Sequence, residues 1–181
     1  MTITFNIQEK DLVTLQLFLA STSDIIRKKR QKNKYIIPVF YVLIALVGIA
    51  TGQKIAAISF LSGAVLWILL YPLWERKNYR KYFTTFIREH MKNRFGNVLS
   101  IEITNEFLLT REHENENKTP TSEIEMIQEI RELLLIRLKG GTTFFIPKEQ
   151  ITELGQLKNR LQKLANHLKV DYAIDEKWEW N

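Results

Sequence analysis

YIIPVFYVLIALVGIATGQ (residues 35–53), then Lys54, then IAAISFLSGAVLWILLYPLW (residues 55–74): forty residues carry one charged side chain, in a chain of 181 with 26 Lys and Arg and 20 Asp and Glu. Wound as a helix at about 1.5 Å per residue, either run reaches ~30 Å, the thickness of a bilayer's hydrocarbon core. Each holds ten Leu, Ile, Val or Phe residues. At roughly 0.3–0.6 kcal/mol apiece near the bilayer centre, these favour insertion by about 3–6 kcal/mol per run. The polar residues within the runs are mostly Ser, Thr and Tyr, which a helix can satisfy itself or place at the interface. A buried hairpin in a soluble core is the competing reading, but core helices rarely stay uncharged for so long.

Only Thr51, Gly52, Gln53 and Lys54 separate the runs, so the two helices are expected to be antiparallel neighbours. Thirty-four residues precede the first run and a second follows at once, a pattern unlike a cleaved leader. Arg27, Lys28, Lys29, Arg30, Lys32 and Lys34 precede the first run; Arg76, Lys77, Arg80 and Lys81 follow the second. The connection offers Lys54 alone. This asymmetry of short-range positive charge predicts a two-pass membrane protein with both termini cytoplasmic. Gly48 with Gly52 and Ser59 with Gly63 are small-xxx-small pairs, which let helix backbones approach and seat the hairpin on itself. Pro38 falls early in its helix; Pro72, near the end of the second, is compatible with a kink or exit.

The formal charge of +6 is unevenly spread. Residues 24–95 carry 14 Lys and Arg against 3 Asp and Glu, whereas residues 96–181 carry 11 against 15. Basicity gathered around the apolar runs points to anionic lipid headgroups rather than nucleic acid, for which no recognition motif is present. Cysteine is absent, which excludes disulfides, thiolate metal sites and a Cys nucleophile.

Residues 75–95 continue as a basic helix in which Tyr79, Tyr82, Phe83, Phe86 and His90 recur at intervals of three and four. Such a helix can lie among headgroups or pack its stripe on the soluble part of the chain. The membrane-interface residues expected are Arg27, Lys28, Lys29, Arg30, Trp74, Arg76, Lys77, Tyr79, Arg80 and Lys81.

Within residues 1–34, Thr2-Ile3-Thr4-Phe5-Asn6-Ile7 alternates as a strand and residues 8–26 read as a helix. This piece is too short for its own core and is expected to join the C-terminal part. From Gly96 the period is that of strands: Leu99, Ile101 and Ile103 alternate, Asn105-Glu106 turns, and Phe107–Arg111 pairs back. Residues 112–121 are polar and read as a loop. Strands follow around 122–130 and 133–139, and Gly140-Gly141 makes a tight turn into 142–146. Pro147 then opens a helix with Ile151, Leu154, Leu157, Leu161, Leu164 and Leu168 on one face. Val170–Ile174 alternates weakly like one more strand, and the tail Trp178-Glu179-Trp180 is expected to fold back. The predicted fold class is thus an α+β membrane protein, a two-helix transmembrane hairpin over 35–74 plus a cytoplasmic antiparallel sheet over 96–181 capped by a C-terminal helix.

The order of elements, with Ser122-Glu123-Ile124, Leu133-Leu134-Leu135-Ile136 and Phe144-Phe145-Ile146-Pro147-Lys148, resembles the YcxB-like membrane protein family of bacteria. The resemblance implies an N-terminal strand and helix, a two-helix membrane hairpin, and a C-terminal domain similar to bacterial pleckstrin-homology-like sheets. It implies no particular activity.

No catalytic constellation is legible. His90, His113 and His167 lie in different elements without a partner at metal-ligand spacing. Glu112, Glu114 and Glu116 lack the pattern of a calcium loop, and Gly140-Gly141 lacks the continuation that cradles phosphate. The spans contain no charge to carry a proton or an ion. No catalytic residue, cofactor or metal is therefore assigned. The expectation is a non-enzymatic, membrane-anchored cytoplasmic module that binds a protein or lipid partner, with a homo-oligomer left open. The alternative is a self-protection protein of the immunity type, guarding its cell against a membrane-active toxin or bacteriocin.

Overall fold

The computed structural model describes residues 1–180. Their order is β1 (Thr2–Asn6), α1 (Glu9–Thr22), α2 (Asp24–Ala50), α3 (Lys54–His90), β2 (Val98–Ile103), β3 (Phe107–Glu112), β4 (Asn115–Pro120), β5 (Ile124–Ile130), β6 (Leu133–Leu138), β7 (Thr143–Pro147), α4 (Leu154–Leu168) and β8 (Asp171–Asp175). This is an α+β fold of four helices and two four-stranded sheets among the described residues. The chain divides into two compact units, Met1–Leu15 with Thr84–Glu179, and Gln16–Phe83 with Trp180.

In the first unit, one sheet has the order β1-β2-β3-β4 and is antiparallel throughout. Ile3 faces Ile101 and Phe5 faces Leu99 across β1 and β2, so the alternate residues of both strands are buried on one side. The N-terminal strand is thus built into a sheet whose other strands follow α3. The second sheet has the order β7-β6-β5-β8. Three strands form an antiparallel meander, and α4 then carries the chain across to the far edge, where β8 runs parallel to β5. A parallel return needs such a crossover, and the buried face of α4 (Leu157, Leu161, Leu164 and Ala165) covers it. Leu133, Leu134, Leu135 and Ile136 of the central β6 are all buried, as a strand covered on both faces requires. Phe5 of β1 meets Phe145 of β7 edge to face, with centroids 5.8 Å apart. Beside them the Gln150 amide pairs with both backbone groups of Asn6, at 2.9 Å each.

The sequence reading needs correction at four places. One antiparallel sheet was expected where two occur, and β8 pairs in parallel. Residues 112–121 are not a loop: His113 and Glu114 form a two-residue turn, His113 at φ +54, and Asn115–Pro120 is an edge strand exposed on both faces, so it shows no alternation. The helix expected over 8–26 breaks at Ser23, whose Oγ accepts from the Ile26 amide at 3.4 Å and caps α2. Pro147 ends β7, and α4 starts only at Leu154, after a 3-10 turn over Lys148–Gln150. The turn at Gly140-Gly141 does occur, with Gly141 at φ +83.

Two buried carboxylates in this unit titrate in opposite senses. Glu129 on β5 is 2% exposed and accepts from Lys148 Nζ at 2.7 Å, from Lys158 Nζ, and from the Tyr172 hydroxyl at 3.3 Å. Burial pushes its carboxyl up, but the hydrogen bonds from the two lysines outweigh this and hold it below the usual range. Burial, with the Glu129 charge beside it, pushes the Tyr172 hydroxyl up to about 12. Asp11 on α1 is 4% exposed and its Oδ2 has no hydrogen-bond partner. Burial there dominates and pushes the carboxyl up to about 6.

Glu129 is charged in the fold at a pH where the unfolded chain is already protonated, so its stabilisation holds above the ordinary carboxylate range and is lost as pH falls through the folded value. Asp11 costs nothing below pH ~4 and destabilises increasingly up to about pH 6, by about 2–3 kcal/mol beyond it. Asp11→Asn should therefore raise the unfolding free energy at pH 7.5 and leave it unchanged near pH 4. Glu129→Ala, which strands two lysines, should cost about 3–5 kcal/mol at pH 7.5. Chemical denaturation of the full chain in detergent at the two pH values checks both.

Candidate membrane-interface site

The second unit is dominated by α2 and α3. The turn between them ends α2 in a Schellman motif: the Gln53 amide donates to Gly48 O at 2.8 Å and the Gly52 amide to Ile49 O at 3.1 Å, with Gly52 at φ +79. Both helices contain a run long and apolar enough to cross a bilayer.

Near the turn, the residues these helices bury against each other are small. Ala45, Ala57 and Ala64 are 1%, 2% and 5% exposed, while Val47 and Leu69 are each 64% exposed. At the seam a Cβ on Gly63 would lie 3.1 Å from the Tyr41 ring, and one on Gly48 would lie 3.5 Å from that of Ala57. Tyr41 and Phe60 meet edge to face. The small residues permit close backbone approach and the branched aliphatics point outward, the reverse of packing in water. Gly48 and Gly63 belong to this seam. Gly52 serves the turn, and Ser59, turned outward, donates to Ile55 O at 3.0 Å. Pro72 does not end the second helix, because α3 continues unbroken to His90.

At the end of the seam away from the turn lies a buried ion pair. Arg30 Nε donates to Glu75 Oε2 at 3.0 Å, and the Tyr71 hydroxyl donates to Glu75 Oε1 at 3.1 Å. The Glu75 side chain is 7% exposed and that of Arg30 20%. The guanidinium also lies 4.5 Å from the Trp180 ring centroid and 5.8 Å from that of Tyr79, and those two rings are 5.4 Å apart. Trp67 and Trp74 flank Tyr71 at 5.5 and 5.8 Å. The tail tryptophan Trp180 has folded back and is buried.

The expected interface residues divide accordingly. Arg30 and Tyr79 belong to this inner cluster. Arg27 is exposed and pairs with Asp24 at 2.6 Å, one turn away. Lys28, Lys29, Lys77, Arg80 and Lys81 are exposed, as is Trp74, and Arg76 is half-buried. Tyr82 and Phe83 pack ring on ring at 5.3 Å. In the first unit, Phe86 stacks on His90 at 4.5 Å, and Arg88 pairs with Glu9 at 2.9 Å. Glu75 was missed in the sequence, although it is the sole acid between Asp24 and Glu89 and sits one turn past Tyr71. No three His, Asp or Glu side chains gather to hold a metal among the described residues.

Breaking a buried pair by removing one partner costs about 3–5 kcal/mol, whereas replacing both by apolar groups is often neutral. Glu75→Leu should therefore destabilise the chain in detergent by about 3–5 kcal/mol. The Arg30→Met/Glu75→Leu double variant should recover most of that loss, read as unfolding temperature.

Comparison of the chain with protein-family models, with curated proteins and with solved structures gives no match.

Proposed function

We propose that this chain is a two-pass protein of the bacterial inner membrane whose sheet unit is a non-enzymatic module, held in the cytoplasm to bind a protein or lipid partner at the membrane surface. The observation that carries the reading is the pairing of β1 with β2. Residues on either side of α2 and α3 are hydrogen-bonded into one sheet, from Thr2↔Glu102 to Asn6↔Val98, and the Ile7 amide donates to Asn97 O at 2.9 Å just beyond it. A chain joined in this way before and after its apolar helices crosses a membrane an even number of times. The outward-facing aliphatics of both helices support two crossings, since no charge and no buried cover accompanies them in water.

The side is argued from charge. Ten Lys and Arg flank the foot of the two helices and Lys54 alone sits at the turn, the asymmetry that retains a segment on the cytoplasmic side. An anchored sheet unit is confined to the surface, where weak recognition gains from a raised local concentration.

The chain has no cysteine, so single-cysteine labelling reads the topology without background. Gln53→Cys at the turn should react with an impermeant thiol reagent in intact cells. Glu114→Cys, at the exposed tip of the β3–β4 hairpin, should react only after permeabilisation. Labelling of Glu114→Cys in intact cells would invert the protein and remove the cytoplasmic module.

A further inference from the structure

On the side of α2 turned away from the seam runs a shallow groove of about 500 Å³. At one end stand Lys28, Gln31 and Lys32; at the other stand Ile36, Val39 and Phe40, with Tyr35 between them. The positions follow one helical face over three turns, so cation, amide, phenol and aliphatics succeed one another along about 18 Å of the axis. The three aliphatic and aromatic side chains at the far end are 43%, 56% and 59% exposed.

We infer that this groove seats one anionic phospholipid, its phosphodiester between Lys28 and Lys32 and one acyl chain along Ile36, Val39 and Phe40. The inference rests on the membrane reading above and names its lipid partner. Groove and lipid are complementary in order along a single axis. A phospholipid presents negative charge, then ester oxygens, then hydrocarbon, and the groove presents ammonium groups, then Gln31 and Tyr35 as donors, then apolar surface in the same order. A peptide or a free phosphate matches only one end. Lys28 and Lys32 share their end of the groove with Gln31 and are followed along it by Tyr35 and the apolar residues, which sets them apart from the other cations of the collar. The groove volume lies within the roughly 300–1,000 Å³ range of small-ligand sites.

The test separates a seat from general attraction to acidic membranes. The full chain is reconstituted in vesicles of equal phosphatidylglycerol and phosphatidylcholine, then released in mild detergent, and retained lipid is counted by native mass spectrometry. The unaltered chain should retain phosphatidylglycerol in preference. Lys28→Gln/Lys32→Gln should lower that preference roughly tenfold. Lys77→Gln/Lys81→Gln, which removes the same charge at the same helical spacing from α3, should change it by about twofold or less.

Equal losses in the two double variants would overturn the seat in favour of a diffuse field, and equal retention of both lipids by the unaltered chain would overturn it outright. A dimer without lipid, lost in Lys28→Gln/Lys32→Gln, would overturn it in favour of a second copy. Flotation with vesicles of pure phosphatidylcholine keeps the two readings apart. A chain that floats without retaining phosphatidylglycerol loses the seat alone, and a chain that does not float loses the membrane reading with it.

Discussion

Forty residues with one charge between them have to be kept from water, and no other part of the chain has a larger demand to meet. The way α2 and α3 meet each other makes the demand sharper. Their seam takes in alanines, glycines and a few rings, which brings the backbones together but hides little hydrocarbon. Nineteen large apolar or aromatic side chains of residues 35–74 are left exposed. A single exposed Leu on a soluble protein needs no explanation, whereas a contiguous surface of this size does. Had the aliphatics faced inward at ~25 cal/mol per Å² of buried surface, the hairpin would have made a soluble core. Their outward placement makes lipid the solvent that suits this sequence.

A seam of small residues is permissive, since alanine slides past alanine at little cost. The register is specified elsewhere. Gly48 against Ala57, Tyr41 against Gly63 and Arg30 against Glu75 all belong to one antiparallel register running from the turn to the foot of the hairpin. The turn fixes one end through Gly52, and the ion pair fixes the other. Shifting either helix by one residue would part Arg30 from Glu75 and leave two charges without this pairing, so the pair disfavours other registers. The Arg30 guanidinium is held between Glu75 and the Trp180 face, so this flanking cation turns inward rather than out to the surface.

The elements that could be read directly in the sequence are those with a strong period. The two apolar runs, the alternation in β1 and β2, the Gly140-Gly141 turn and the face of α4 each follow a local pattern that the fold requires. What could not be read is what depends on distant partners. β4 is exposed on both faces, so its alternation is absent. The division into two sheets, and the parallel pairing of β8 with β5 after α4, are set by which strands meet, and no local period records that. The break at Ser23 is carried by one hydroxyl in an otherwise helical stretch. At the site, the basic collar was legible as charge asymmetry. The inner cluster was not, because Glu75 reads as one acid among many cations until Arg30 and Tyr71 are seen to converge on it. Glu129 and its two lysines come from β5, the turn after β7, and α4, and no spacing joins them.

The placement of β1 has a consequence for assembly. It opens the chain, yet its only partner strand is β2, and the residues it hydrogen-bonds lie more than 90 positions later. Contacts of such separation form late, because the loop they close must first be ordered. Until β2 is made, β1 and the start of α1 have no sheet to join, while residues 35–74 are already complete and already unsuited to water. Closing β1 onto β2 therefore comes after the residues of both helices have been made, and it joins the chain on either side of them into one sheet. A strand spent on closure rather than on a hairpin with its neighbour makes this sheet depend on stretches of chain that lie on both sides of α2 and α3 in the sequence.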